Sequence, residues 1–305
     1  MTTASEGTVA VCICTRNRPD ELRNALDSLA RSRYPIAQII VSDDSTDDRT
    51  AQMLADPTLG IRYLGGPRRG LGANRNNALG AVASDRVLFI DDDVELGADY
   101  LSRAFAALAS VDAAAAARTI VTGIETQYGT PVEPKDQDFL GFQRLAYRGD
   151  DALHTVVINS ALFPAGLFER VRFDEQLVYG CDEVDFTTRA CAAGYRIVLR
   201  RDAVNAHFPS SVNRDFYDRF RHASRLYVTF KRYWSTERRP LRALAFAALA
   251  PLHLLLHGWR KERFAGIART AQSLGIALGY LRRAGTSAPL PVRTAEAANG
   301  VPRAA

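Results

Sequence analysis

The chain has 305 residues, a formal net charge of +5, and 47% hydrophobic against 24% charged residues. These values are typical of a globular protein that is long enough for one large α/β domain, with or without an appendage. No apolar stretch reaches the roughly 20 uninterrupted residues of a spanning helix, and the N-terminus lacks a basic segment followed by a long apolar run. The four cysteines match no metal or redox spacing. We therefore predict a cytoplasmic protein with reduced thiols.

Short apolar strands alternate with helices in the first ninety residues. Strands are predicted at 9–14, 38–42, 61–64 and 86–90, and helices at 19–29, 50–54 and 70–83. This alternation predicts an α/β fold with a doubly wound, mostly parallel sheet. In such sheets ligands bind beyond the carboxyl ends of the strands. Three polar clusters directly follow strands and are predicted to line this crevice: Thr15–Arg18, Asp43–Asp47 and Asp91–Asp93.

The next hundred residues continue the pattern less regularly. One alanine-rich helix is predicted over Leu101–Ala117, and Thr126–Asp150 is predicted as a loop-rich segment that shapes an acceptor site. The remaining predictions are strands at 119–123, 156–163 and 195–199, a short helix at 165–170, and a helix at 183–193 that stops at Gly194.

The stretch VLFIDDDVEL at residues 87–96 carries the most chemical information. A buried strand runs straight into Asp91, Asp92 and Asp93. Adjacent carboxylates at the end of an apolar strand are costly unless a cation or hydrogen-bond donors satisfy them. Asp91 and Asp93 share one face of an extended backbone, which suits a divalent metal that keeps positions for water and phosphate. The simpler alternative is a solvated acidic turn.

Five motifs together resemble one family. In chain order they are VCICTRNRP, VSDDSTDD, RGLGANRNNAL, FIDDD and YGCDEVDFTTRACAAGYR. From Val9 to His207 the chain is similar to family 2 glycosyltransferases, which have the GT-A fold and invert the configuration of the transferred sugar. The resemblance implies a donor sugar linked to UDP, GDP or TDP, an acceptor hydroxyl, and Mg²⁺ or Mn²⁺ as cofactor.

The resemblance also implies roles for individual residues. Asp43 is expected beside the nucleotide base and Asp91 near the ribose. The metal is expected on Asp93, the stronger ligand, with Asp91 and with His207 completing the site. The remaining residues expected to line the nucleotide-sugar pocket are Thr15, Arg18, Arg75, Asn76 and Asp92.

A second acidic cluster supplies the catalytic base. Inverting transfer needs a carboxylate that takes the proton of the acceptor hydroxyl. The family motif reads Glu-Asp-x-Asp with the first Asp as base, whereas this chain reads Asp182-Glu183-Val184-Asp185. Glu183 occupies the base position, and Asp182 stays open as the alternative. Asp185 is predicted either to interact favourably with the helix dipole at the N-terminus of the helix or to pair with Arg189, four residues further on.

We divide the chain into a GT-A domain at 8–209, a helical region at 210–283 and a disordered tail at 284–305. The helical region is basic and aromatic, and residues 264–281 carry an apolar stripe at helical spacing. Together with Leu241–Leu256 it suits helices lying on the inner face of the plasma membrane. Helices packed on the domain or in a homodimer are equally compatible with this pattern.

Two other classes of protein fit less well. A nicotinamide-dependent enzyme needs a Gly-x-Gly-x-x-Gly turn after the first strand, where this chain has Thr15-Arg16-Asn17-Arg18. A non-enzymatic adaptor for nucleic acid or anionic membrane would use the basic region and leave the acids idle. We favour the enzyme, with no nucleic-acid partner, acting on a glycan or lipid-linked acceptor of the cell envelope. A secondary-metabolite acceptor is the alternative.

Overall fold

The computed structural model describes residues 7–209 and 214–284, and a nine-stranded sheet forms its centre. The strands of this sheet are β1 (Val9–Thr15), β2 (Gln38–Asp43), β3 (Ile61–Gly65), β4 (Arg86–Asp91), β5 (Val94–Glu95), β6 (Thr119–Gln127), β7 (Thr130–Val132), β10 (Ala161–Pro164) and β11 (Arg196–His207). Their order is β3-β2-β1-β4-β10-β6-β11-β5, and β7 pairs with β6. A separate pair is formed by β8 (Lys135–Gln137) and β9 (Gln143–Ala146).

Six strands of the sheet run in one direction. Strands β1, β2, β3 and β4 pair in parallel, and β6 pairs in parallel with β11. Strand β10 is antiparallel to both β4 and β6, so the two groups share their direction. The mostly parallel α/β sheet is thereby confirmed, and the carboxyl ends of six strands meet at one edge.

Alternating side chains of the central strands build two cores, one on each face of the sheet. In β1, Ala10 and Cys12 pack on one face, while Val11 and Ile13 pack on the other. Burial on both faces explains why these strands are continuously apolar. The helices that cover the sheet are α1 (Pro19–Leu29), α2 (Arg49–Met53), α3 (Leu71–Leu79), α4 (Tyr100–Ala109), α5 (Ala113–Ala117) and α6 (Asp182–Ala192).

Four sequence predictions need correction. Of the strand predicted at 156–163 only Ala161–Pro164 is a strand, because Ile158–Ser160 forms a 3₁₀ turn before it. The single helix over Leu101–Ala117 is two helices, because the side chain of Asp112 caps α5 by accepting from the Ala115 amide. The loop-rich segment Thr126–Asp150 contains β7, β8 and β9. The strand predicted at 195–199 continues to residue 207 beyond a bulge between Leu199 and Val204, which periodicity alone did not detect.

The C-terminal helices pack on the sheet domain rather than standing apart. They are α7 (Arg214–Lys231), a π-helical turn (Arg232–Thr236) and α8 (Pro240–Ala284). A third apolar cluster joins Leu177 and Val184 of the domain to Tyr227, Phe246 and Tyr280 of these helices. The tail predicted after residue 283 lies outside the described residues apart from its first residue.

Helix α8 is a hairpin of two arms. Arg263 has a non-helical backbone (φ 51°) and separates residues 240–262 from residues 264–284. The arms run back along each other, since Thr270 Oγ1 donates to the Leu254 carbonyl at 3.4 Å. Counted as one helix, α8 is long and apolar enough to cross a membrane, which the search for uninterrupted apolar residues did not predict.

Candidate active site

The carboxyl edge of the sheet gathers most of the predicted site residues. The strand register places Thr15 beside Asp43, and Cys14 beside Asp91. His207 ends β11 on the same edge, because β11 runs in the direction of β4. Residues that are up to 192 positions apart in sequence, such as Thr15 and His207, therefore share one crevice, as the parallel topology predicts.

Asp92 is a buried anchor for the loop that follows β1. Its carboxylate accepts from Thr15 Oγ1 at 2.8 Å and from Arg18 at 2.7 Å. Only 4% of Asp92 is exposed, and this burial raises its pKa to about 7, although Arg18 opposes the shift. Thr15 and Asp92 thus satisfy each other, and the second partner of Arg18 is Asp93 at 3.1 Å.

Asp93 and His207 lie in direct contact. His207 Nε2 is 3.3 Å from an Asp93 carboxylate oxygen, and its Nδ1 is 2.9 Å from Glu125 Oε1. Burial would lower the pKa of His207, but the hydrogen bonds to the two carboxylates raise it to about 10. Burial alone would raise the pKa of Asp93. The contacts with His207 and Arg18 lower it, and the pKa of this carboxyl lies below its usual value.

Glu125 and Asn159 are site residues that the sequence analysis missed. Glu125 lies in β6, where it also accepts from Gln127 Nε2 at 2.7 Å. Asn159 accepts from the Asp91 amide at 3.0 Å, and its amide nitrogen lies 3.5 Å from Glu125. An isolated glutamate inside the apolar run TIVTGIE was the available signal, because a carboxylate buried in a strand needs partners.

Asp43 ends β2 and is 4% exposed. One of its carboxylate oxygens accepts from the Ser45 amide at 2.8 Å, and the other accepts from Tyr63 Oη at 3.1 Å. Beside it, a side chain at Gly66 would come within 2.9 Å of the Asp43 carbonyl and closer still to Asp44 and Asn74. Position 66 therefore has no room for a side chain beside Asp43.

Arg75 joins the two acidic clusters. It projects from α3, is 1% exposed, and forms ion pairs with Asp182 and with Asp91, the latter at 3.3 Å. Its guanidinium also lies 5.5 Å from the ring centroid of Phe173 and 6.0 Å from that of Phe89. A planar group with several donors is required to satisfy two carboxylates among aromatic rings.

The turn before α6 directs the second acidic cluster toward this arginine. Gly180 (φ 82°) and Cys181 (φ 59°) both adopt left-handed backbone conformations. Residues other than glycine rarely adopt this conformation. Here it lets the chain change direction just before α6 begins. The first residues of α6 are consequently Asp182, which is buried, and Glu183, which is half-buried.

Asp182 and Glu183 occupy different environments. Asp182 is 3% exposed and neutralised by Arg75, whereas Glu183 has Gln143 of β9 as a hydrogen-bond partner. Burial raises the pKa of Glu183 to about 7, and the charge of Asp182 adds to the shift. A carboxylate with a pKa near neutrality is suited to proton transfer at physiological pH.

Asp185 and Asn76 serve the scaffold. Asp185 pairs with Arg189 Nε at 2.9 Å, which confirms the predicted interaction four residues along the helix, and Lys231 contacts it at 2.8 Å. Asn76 donates to the Phe173 carbonyl at 2.9 Å and accepts from the Phe173 amide at 3.1 Å. The structure therefore does not bring Asn76 into the crevice, because the chain after residue 172 uses its side-chain amide.

The donor set suits a hard divalent cation in part. Asp93 and His207 already face each other. Glu125 contacts Nδ1 of His207, and the other ring nitrogen, Nε2, is directed at Asp93. Asp91 is turned to Arg75 instead. Among residues 7–209 and 214–284 no three acidic, histidine or cysteine side chains form a ready metal cluster. Carboxylate oxygens and one imidazole nitrogen are nevertheless chemically compatible with Mn²⁺.

Comparison with known proteins decides the family. The model of glycosyl transferase family 2 matches residues 10–172, more than half of the chain. The chain belongs to glycosyl transferase family 2. The family match ends at residue 172 and so does not cover Glu183 and His207.

Curated members of the family match over shorter segments. "Glycosyltransferase GlyA" of Streptococcus pneumoniae is 24% identical over 178 residues, which is 54% of this chain and 26% of that protein. A Campylobacter jejuni protein named "GalNAc(5)-diNAcBac-PP-undecaprenol beta-1,3-glucosyltransferase" is 33% identical over 99 residues, 31% of this chain and 32% of that one. The chain thus spans about a third or less of these relatives.

Solved structures confirm that the domain of this family 2 member has the GT-A fold. Staphylococcus aureus TarS has a TM-score of 0.59 and 18% identity over 89% of this chain and 49% of that chain. The mannosyltransferase PcManGT of Pyrobaculum calidifontis, solved with GDP-Man and Mn²⁺, has a TM-score of 0.57 and 20% identity over 93% and 80%. At these identities the likeness concerns the fold.

Proposed function

We propose that this family 2 glycosyltransferase moves a sugar from a nucleoside diphosphate to an acceptor hydroxyl with inversion at the anomeric carbon, in a metal-dependent reaction. The observation that carries the proposal is the position of Arg75 between Asp91 and Asp182. Through this one side chain the donor cluster at the end of β4 is held next to the start of α6, where Glu183 lies. Donor and base would then lie on two sides of the same reacting carbon.

The nucleotide would occupy the crevice along the ends of β1, β2 and β4. Asp43 is suited to accept a ring N–H of the base, and Asp91 to bind the ribose. The loop of Thr15 and Arg18, anchored on Asp92, would form the wall of this pocket. Arg18 is partly exposed beside Asp93 and is free to turn its second amino group to the diphosphate, since Arg donors suit phosphate oxygens.

Glu183 would act as the base. Its ionised carboxylate takes the proton of the acceptor hydroxyl, while that oxygen forms a bond to the anomeric carbon. The bond from that carbon to the phosphate oxygen breaks, and the diphosphate leaves with the electron pair. Asp182 is unsuited to this role, because it is buried and already neutralised by Arg75. Its role is to position Arg75 and to raise the pKa of Glu183.

Mg²⁺ or Mn²⁺ would be held by Asp93 and by Nε2 of His207, which would give up its proton when the ion binds, with Asp91 available after it leaves Arg75. Such an ion would neutralise the charge of the departing diphosphate. Glu125 fixes the ring of His207 so that Nε2 faces Asp93. Support comes from the Mn²⁺ bound in the structure of PcManGT.

The donor is a hexose or deoxyhexose on UDP, GDP or TDP, and the acceptor is a glycan or a lipid-linked glycan of the cell envelope. Structures of similar fold contain GDP-Man or UDP, and the C. jejuni relative is named for an undecaprenol-linked substrate. A cytoplasmic enzyme at the inner face of the membrane would meet both substrates.

A thermal-shift screen of UDP, GDP and TDP, each with and without Mn²⁺, tests the donor site. We expect one nucleotide to raise the melting temperature only when Mn²⁺ is present. With the matching sugar nucleotide, Glu183→Gln should retain this shift and lose turnover. Stabilisation by all nucleotides without metal, or normal turnover of Glu183→Gln, would contradict the proposal.

A further inference from the structure

The α8 hairpin exposes one continuous apolar face. Its large apolar residues with 37–82% exposure are Leu241, Leu244, Leu249, Leu252, Leu256, Trp259, Phe264, Ile267 and Leu278. In the first arm they recur every three to five residues and so follow one side of the helix. We call this set the exposed apolar face. Trp259 belongs to this set, and the second tryptophan of the chain, Trp234, is exposed in the π-helical turn that precedes α8.

The opposite face of the hairpin attaches it lengthwise to the catalytic domain. Phe246 packs against Phe139 at 6.2 Å between ring centroids, and His253 packs against Phe142 at 5.8 Å. On the second arm, Tyr280 packs against Tyr227 of α7 at 5.5 Å. Because both arms are fixed along the domain surface, the hairpin cannot cross a bilayer without drawing the domain into it.

The two arms contact each other through small residues. A side chain at Gly266 would come within 2.0 Å of the Gly258 carbonyl oxygen, and Thr270 contacts Leu254. Because the arms pack closely through small residues, their large apolar residues lie on the outside of the hairpin. Both arms therefore contribute to the exposed apolar face. Each arm is about 30 Å long at 1.5 Å per residue, so the attachment of the arms to the domain, and not their length, favours docking in the plane of a membrane.

Positive charge surrounds this face. Residues 238–284 contain nine basic residues against one acid, Glu262, so this segment alone exceeds the +5 of the whole chain. The basic residues are Arg238, Arg239, Arg242, Arg260, Lys261, Arg263, Arg269, Arg282 and Arg283. They cluster at the ends of the arms and leave the apolar middle uncharged. A face with an apolar centre, basic ends and tryptophans matches the headgroup layer of an anionic bilayer.

We propose that the hairpin docks in the plane of an anionic lipid bilayer through the exposed apolar face. This deepens the proposed function, and only its purpose, access to lipid-linked acceptors, rests on that function. The second arm approaches the segment before the base, since Arg283 donates to Gln176 at 3.3 Å. Docking would therefore place the start of α6, with Glu183, close to a lipid-linked acceptor.

Co-sedimentation with vesicles tests the proposal on the full chain. Phosphatidylcholine vesicles are compared with vesicles that also contain phosphatidylglycerol, and tryptophan emission is recorded in parallel. We expect binding to the anionic vesicles, a blue shift of the emission, and loss of binding at high salt. The double variant Leu252→Glu/Leu256→Glu should abolish the blue shift, and Arg260→Gln/Lys261→Gln should weaken binding roughly tenfold.

Leu59→Glu is the matched control, because Leu59 is 47% exposed in the turn before β3, the strand at one end of the sheet. It should bind as the wild type does. Absence of binding to anionic vesicles, or equal loss in the control, overturns docking. So does a dimer in sedimentation velocity that only the Leu252→Glu/Leu256→Glu variant dissociates, since a second copy then covers the face. Nucleotide binding by thermal shift, measured on the same variants, reports separately on the proposed function.

Discussion

The guanidinium of Arg75 forms an ion pair with Asp182 inside the protein, where both side chains are almost fully buried. The same guanidinium contacts Asp91 at 3.3 Å. One residue of α3 thereby determines the distance between the end of β4 and the start of α6. This geometry explains why neighbouring acids, Asp182 and Glu183, differ in their chemistry. Asp182 is held in an ion pair with Arg75, whereas burial and the charge of Asp182 raise the pKa of Glu183.

Arg75→Met should destabilise the fold strongly. The substitution removes the charge that neutralises Asp182 and Asp91, and breaking a buried pair costs about 3–5 kcal/mol. Chemical denaturation followed by circular dichroism measures the change in the free energy of unfolding. The control is Arg33→Met, which removes an exposed pair with Asp99 and should have a much smaller effect. Equal effects of the two variants would contradict the bridging role.

Turnover should follow the ionisation of Glu183. Because the base must be deprotonated, kcat should rise with pH through about 7 and level off above it. The measurement is the pH profile of kcat with saturating donor and metal. Glu183→Asp should keep residual activity, but its kcat should rise at a different pH. Glu183→Gln should be inactive at every pH. A profile that is flat from pH 5.5 to 9 would exclude this base.

The raised pKa of Glu183 also predicts a stability effect. Its pKa of about 7 in the folded protein exceeds the usual glutamate pKa of 4.5, so the folded protein loses stability as pH rises between these values. Glu183→Gln avoids this loss. Its free energy of unfolding should match that of the wild type at pH 4 and exceed it above pH 7, by on the order of 1–3 kcal/mol. A constant difference across this range would show that ionisation is not the cause.

Substitutions of Asp92 and of Asp93 should have different effects, the first mainly on stability and the second mainly on metal binding. Asp93→Ala should abolish metal-stimulated transfer while the protein still folds, although Arg18 and His207 each lose a carboxylate partner. Asp92→Ala should lower the melting temperature, because Thr15 and Arg18 lose a buried acceptor. Mn²⁺ binding by electron paramagnetic resonance and unfolding by calorimetry give the two readouts. Metal-dependent transfer by Asp93→Ala at the wild-type rate would remove Asp93 from the metal site.

Glu125→Gln tests the orientation of His207. Loss of the carboxylate on Nδ1 should weaken Mn²⁺ binding about 10- to 100-fold, while kcat at saturating Mn²⁺ stays near the wild-type value. Direct Mn²⁺ titration distinguishes this from a general loss of folding. Gln127→Ala removes the contacts of Gln127 Nε2 with Glu125 at 2.7 Å and with His207 Nδ1 at 3.4 Å but keeps the Glu125 carboxylate on Nδ1, so it should change the Mn²⁺ affinity far less. Unchanged affinity in Glu125→Gln would show that His207 needs no such partner.

Much of the first half of the protein was determined by local sequence. Apolar strands such as Val9–Thr15 are buried on both faces, and polar residues follow their carboxyl ends, so the parallel sheet and its crevice could be predicted from pattern alone. The resemblance of the motifs to family 2 implied the roles expected of Asp43, Asp91 and Asp93. Local rules failed where a long strand bends, as at the bulge after Leu199, because a bulge interrupts the periodicity.

Only the tertiary structure decided which partner each charged group has. Sequence could not reveal that Arg75 neutralises Asp182, that Glu125 holds His207, or that Asn76 supports the chain at Phe173. These pairs join residues that are separated by 82 to 107 positions. The charge state and role of a buried group depend on which charges and donors surround it in space, and no local pattern encodes those neighbours.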